Sequence, residues 1–156
     1  MNKPKLNMIV CVAENNLIGD KVPEGNGLLW HSLEELNYYK SKTVGNVVLF
    51  GENTAKYVPI NLMKKNREVI VLTLDSKLKD IMEQYKDSGK DIFICGGYTI
   101  YKYYLEIDEI YISKLKPHVK VAHASNPLYF PDVEKYGYNL VSETDYNDFT
   151  ATIYKK

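Results

Sequence analysis

DIFICGGYTIYKYYL, residues 91–105, is the stretch on which the fold turns. Its apolar core, Ile92 to Cys95, is too short for a helix and suits a strand buried on both faces. Gly96 and Gly97 break the run, and Tyr98 to Leu105 then reads as a helix. The same order occurs upstream in NVVLFGENTAKYV, residues 46–58, with a buried strand over Asn46 to Phe50, a glycine at 51, and a short helix from about Asn53 to Val58. Two strand–glycine–helix units in one chain are the pattern of an α/β sheet.

Working outward, Leu6 to Ala13 is apolar except for Asn7 and predicts another buried strand, which stops at Glu14-Asn15-Asn16. A glycine-rich loop follows, and Ser32-Leu33-Glu34-Glu35 then fits a capping box with Ser32 as N-cap and Glu35 at N3, opening a helix that ends near Thr43. Glu68 to Leu74 predicts a third strand after the one at Asn46, Ser76 to Asp87 a surface helix, and Glu109 to Leu115 a further strand. After a long irregular segment, Leu140 to Thr144 and Phe149 to Lys155 alternate as an antiparallel hairpin. The expected architecture is one α/β domain over residues 1–156, with a mixed, mostly parallel central sheet, flanking helices and a C-terminal antiparallel hairpin.

Composition narrows the function classes. A chain of 156 residues with 45% hydrophobic and 26% charged residues is that of a soluble globular protein, and no apolar run approaches the ~20 residues of a membrane span. Twenty basic and twenty acidic residues cancel, which argues against nucleic acid as the partner. The N-terminus lacks a signal-peptide pattern, so the cytosol is expected. Cys11 and Cys95 each sit in an apolar run as reduced thiols, and neither they nor His31, His118 and His123 show metal-ligand spacing, so no metal is expected. Fourteen tyrosines against four phenylalanines stand out, and tiling of half-buried faces accounts for most of them.

Open α/β sheets bind ligands at the carboxyl ends of their strands, which directs attention to the turns at Gly51 and at Gly96-Gly97. Glycine there admits a ligand to the backbone, and a helix N-terminus attracts phosphate; equally, such turns simply favour glycine, and neither matches a complete phosphate-binding motif. Glu35 borders the inward face of its helix. Either it caps Ser32, or its carboxylate meets a heterocycle presenting two adjacent N–H donors, with its pKa raised by desolvation.

Leu17-Ile18-Gly19 followed by LLWHSLEELNYYKSKT, residues 28–43, resembles the signature of the dihydrofolate reductase family, with Trp30, Glu35, Tyr39 and Thr43 in the family's order and spacing. Ala13 and Asn15, Phe50-Gly51 and Thr54, Asn66-Arg67, Gly96-Gly97 with Tyr101, Ser113 and Phe130-Pro131-Asp132 extend the resemblance over nearly the whole chain. It implies a dihydrofolate-reductase-like fold. It also implies reduction of 7,8-dihydrofolate to tetrahydrofolate by hydride transfer from NADPH, in support of one-carbon metabolism and thymidylate synthesis, by a cytoplasmic monomer. Glu35, Trp30 and Ser113 take the catalytic positions. Ile9, Leu36, Tyr39 and Val58 would wall the substrate pocket, and Arg67 would pair with the α-carboxylate of the substrate's glutamate tail. The cofactor would lie along Gly51, Asn53, Thr54, Leu72, Thr73, Gly96, Gly97, Tyr98, Thr99, Ile100 and Tyr101, with Cys11, Ile18 and Gly19 beside the nicotinamide.

The chain departs from the family pattern in two places. The loop from Gly19 to Leu28 is longer than the signature and Leu29 replaces its proline, which points to altered product release. Glu52 stands where a basic residue usually meets the cofactor's phosphates, and Asp75 follows the third strand. Acidic groups there favour the free ribose hydroxyl of NADH, although Lys56, Lys77 and Lys79 could compensate. The competing readings are a related pterin or pyrimidine reductase, and a folate- or nucleotide-binding structural subunit without catalysis.

Overall fold

A computed structural model describes residues 3–21, 28–73, 75–97 and 107–156. Along the chain these form β1 (Leu6–Val12), β2 (Leu17–Asp20), α1 (Leu33–Thr43), β3 (Val47–Gly51), α2 (Glu52–Ala55), α3 (Ile60–Met63) and β4 (Glu68–Leu72). There follow α4 (Leu78–Gln84), β5 (Ile92–Gly96), β6 (Glu109–Leu115), β7 (Pro127–Tyr129), β8 (Asn139–Asp145) and β9 (Phe149–Lys155). A seven-stranded sheet runs β4-β3-β5-β1-β6-β9-β8. The pairings from β4 to β6 are parallel, and β9 pairs antiparallel with both β6 and β8. The expected mixed sheet with a terminal hairpin is therefore present.

The continuous apolar runs arise because both faces of the parallel strands are covered. Leu6, Met8, Val10 and Val12 point to one side with Leu49, Ile94 and Ile112, where Ile81 of α4 closes the layer. Ile9 alternates to the other side with Val48, Phe50 and Phe93, where Met63, Tyr39 and Val58 pack. Among the described residues no helix is long and apolar enough to cross a membrane.

Several boundaries differ from the sequence reading, each for a local reason. The expected helix over Asn53 to Val58 is shorter, α2 ending at Ala55, and a second short helix, α3, starts after its N-cap Pro59, a residue that disfavours helical backbone at the position before it. The helix α4 is shorter than Ser76 to Asp87. Thr73 N–H donates to Ser76 Oγ (2.9 Å), fixing a turn before it, and Asp87 adopts a positive φ of 61° beyond its end. The glycine-rich loop contains a strand that periodicity alone did not show: Leu17–Asp20 pairs antiparallel with Pro127–Tyr129. The helix expected over Tyr98 to Leu105 and the inserted loop residues 22–27 lie outside the described residues.

Leu49 is wholly buried at the centre of the sheet. Leu49→Ala is expected to lower unfolding free energy by about 2–5 kcal/mol, read as a shift in the urea midpoint with an unchanged m-value.

Candidate active site

Strand register gathers the polar groups at one end of the sheet. Gly51 pairs with Leu72 and Phe50 with Gly96, so the turns after β3, β4 and β5 lie side by side. The Gly96–Gly97 peptide is cis. A Cβ at Gly97 would collide with Thr54 Oγ1, so the Gly97 backbone lies directly against the Thr54 side chain of α2, a close approach that only glycine permits. Asn53 and Glu52 are exposed beside it. Asp75, also exposed, is tied to the same rim by its N–H donating to Thr73 Oγ1 (3.3 Å). The four residues of α2 are too few for an appreciable helix dipole, so the close packing of Gly97 on Thr54 rather than a helix terminus is the main feature of this turn.

At the centre of the same end, Cys11 of β1 pairs with Ser113 of β6, and Glu35 of α1 reaches over them. Burial pushes the Glu35 carboxyl up to about 7, and only the nearby Ser113 hydroxyl draws it back. Ser113 falls short of full hydrogen-bond geometry with Glu35, leaving its buried Oγ without a partner. The Cys11 thiol is pushed well above its usual range, first by burial and then by the charge of Glu35, while a bond with Trp30 lowers it. Glu35, Trp30, Cys11 and Ser113 thus form one group.

The capping box is realised only in half. Glu35 N–H donates to Ser32 Oγ (3.2 Å), but among the described residues the Glu35 carboxylate makes no return bond to the backbone of Ser32. Capping therefore engages the Glu35 backbone, while its side chain lies near Ser113 and Cys11.

Arg67 lies beside the last turn of α1. It is 7% exposed, donates from Nε to Asn66 Oδ1 (3.0 Å) and from Nη1 to Thr43 Oγ1 (3.3 Å), and has no carboxylate partner among the described residues. Thr43 can accept because its own proton goes to the carbonyl of Tyr39 (2.9 Å). The Arg67 charge also lowers the Cys95 thiol, although burial outweighs it and carries that thiol up to about 12. Lys64, Lys65 and Lys90 line a concavity of about 240 Å3 against Arg67.

Ile9, Tyr39 and Val58 share one apolar layer. Leu36 is at its rim, 38% exposed. Ile18 packs into the opposite layer, so its side chain is not brought together with Glu35, and Gly19 lies in β2. Tyr98, Thr99, Ile100 and Tyr101 lie outside the described residues. Sequence reasoning assigned no role to Asn66 or Cys95; the first is signalled only by its place beside Arg67, the second by nothing in its apolar run.

A family model described as Dihydrofolate reductase matches residues 5–155. The dihydrofolate reductase of Mycoplasma genitalium is 26% identical, covering 95% of this chain and 96% of its own. That of Lactococcus lactis subsp. lactis is 28% identical, covering 91% and 90%. A solved structure of dihydrofolate reductase from Enterococcus faecalis, complexed with NADP(H) and RAB-propyl, shares the fold with a TM-score of 0.73 at 19% identity, covering 97% of this chain and 95% of that one.

The raised carboxyl of Glu35 links stability to pH. The folded protein keeps this proton up to about pH 7, whereas an ordinary carboxyl releases it near 4.5, so the contribution is complete below that window and is lost as pH rises through it. Glu35→Gln is expected to remove this slope and to raise unfolding free energy at pH 8 by about 3 kcal/mol, measured by denaturant titration across pH.

Proposed function

The chain belongs to the dihydrofolate reductase family, and we propose from its site that it reduces 7,8-dihydrofolate to tetrahydrofolate with NADPH. The observation that carries this reading is a pair of half- or fully buried groups of opposite charge, Glu35 and Arg67, neither of which has an ionic partner among the described residues. Arg67 is anchored on Thr43, eight residues and about 12 Å of helix rise along α1 from Glu35. A ligand that satisfies both must carry adjacent N–H donors at one end and a carboxylate at the other. Dihydrofolate has that form.

In this reading the Glu35 carboxylate holds the 2-amino group and N3 of the pterin and favours protonation at N5 through water. A carboxyl poised near neutrality can hold and release that proton under working conditions. Ser113 turns its free hydroxyl to the Glu35 carboxylate or to the water beside it. Ile9, Tyr39 and Val58 exclude solvent along the ring, Leu36 closes the rim, and Arg67 receives the α-carboxylate as a two-pronged donor. The rim where the turns after β3, β4 and β5 meet would hold NADPH, with Gly51, Asn53, Thr54, Leu72, Thr73, Gly96 and Gly97 along it and Cys11 and Trp30 bordering the reaction centre. NADPH, when bound, supplies the hydride, and the chain supplies position and the exclusion of water. We read the protein as a single-domain, cytosolic monomer.

Loss of nicotinamide absorbance on mixing protein, NADPH and dihydrofolate tests the reaction directly. Glu35→Gln is expected to lower turnover by about 10²–10⁴-fold at neutral pH; undiminished turnover in that variant would remove the carboxylate from the mechanism. The acidic rim of Glu52 and Asp75 is expected to hold the NADPH preference, as a ratio of kcat/KM over NADH, below about a hundredfold, and Glu52→Lys is expected to increase it. A wild-type preference of about a thousandfold would contradict the role given to those two residues.

A further inference from the structure

The first turn of α1 carries Glu35 but is weakly held by apolar packing. Leu33 is 61% exposed and Leu36 38%, and Thr43, at the far end, is the one α1 residue that is fully buried. Polar contacts from the β8–β9 turn hold it instead. Asp148 Oδ2 accepts from Ser32 Oγ (2.6 Å), and the Asp148 N–H donates to Glu34 Oε1 (2.7 Å). Because the single Ser32 proton is committed to Asp148, the remaining lone pairs of that oxygen are free for Glu35 N–H.

The turn that reaches across is itself well anchored. Phe149 is wholly buried and stacks on Tyr146 with ring centroids 4.7 Å apart. Tyr38 of α1 meets both rings edge-on, at 5.3 Å and 5.7 Å. Lys116 pairs with Asp145 (2.8 Å) and donates to the Tyr146 carbonyl. The groups facing the Asp148 carboxylate are Ser32, His118 (3.1 Å) and Lys116, and the bond from Ser32, followed by His118, holds it below the ordinary carboxylate range. It is ionised at neutral pH.

We propose that Asp148 is a positioning residue: by its side chain on Ser32 and its backbone on Glu34 it fixes the first turn of α1 where the Glu35 carboxylate faces Ser113. This rests on the reading of Glu35 as the group that meets the substrate. Asp148 touches neither Glu35 nor the ligand site. It acts through the helix, and small displacements of a catalytic group have large kinetic effects.

Asp148→Ala is compared with Asp148→Asn, which keeps an oxygen for Ser32 while losing the charge. In Asp148→Ala, kcat/KM for dihydrofolate is expected to fall about tenfold, with the dissociation constant of NADPH unchanged within about twofold. The apparent pKa of kcat is expected to move down by about half a unit or more as the Glu35 carboxylate gains water. Asp148→Asn is expected to recover most of the activity and the wild-type profile. Carbon NMR of the Glu35 carboxyl reads the same displacement without turnover, so a wild-type protein inactive toward dihydrofolate would sink the assigned reaction while leaving this inference measurable. A Glu35 titration unchanged in Asp148→Ala overturns the proposal. So does a loss of NADPH affinity and dihydrofolate turnover together, with Asp148→Asn no better than the alanine variant.

Discussion

A parallel sheet covered on both faces leaves only its ends for polar chemistry, and this constraint organises the molecule. The strands β1, β3 and β5 spend their side chains on two apolar layers, so recognition falls to the turns beyond them and to the helix laid across one face. Register then decides which turns meet. The pairings of Gly51 with Leu72 and Phe50 with Gly96 bring three turns to one rim, while Cys11 opposite Ser113 sets the floor beneath Glu35.

Within that frame α1 links the two charged groups. Thr43 supports Arg67 from the last turn of the helix, and Ser32 receives the backbone of Glu35 at its first. The two supports use the same device: a hydroxyl whose proton is given elsewhere, to the Tyr39 carbonyl or to Asp148, and whose oxygen is therefore free to accept. Helix rigidity converts those local bonds into a fixed separation between carboxylate and guanidinium. Side-chain hydrogen bonding of this kind leaves less to loop placement than a site built on turns alone.

Most of the sheet and much of the cleft are legible in the residues themselves. The runs at Leu6, Val47, Ile92 and Glu109 are strands because burial on both faces demands unbroken apolar sequence, and Glu35 stands out because a carboxylate at an apolar helix border is costly without a purpose. What is illegible depends on distance. The pairing of β2 with β7 joins segments about a hundred residues apart, each too short to alternate visibly. Asp148 reads as a turn residue between two strands, since nothing near it in the chain points to Ser32. Ile18 packs, partly buried, against the layer of Val10 and Val12, a neighbourhood that the local sequence does not disclose.

Among the described residues, a buried guanidinium without an ionic partner, a carboxyl with a raised pKa and a buried serine hydroxyl without a hydrogen-bond partner are all burdens on the fold. A ligand that satisfies them binds the native state alone and draws the folding equilibrium toward it. The lifetime of this chain against proteolysis therefore rises with the amount of ligand around it, and unliganded molecules are the first to be cleared.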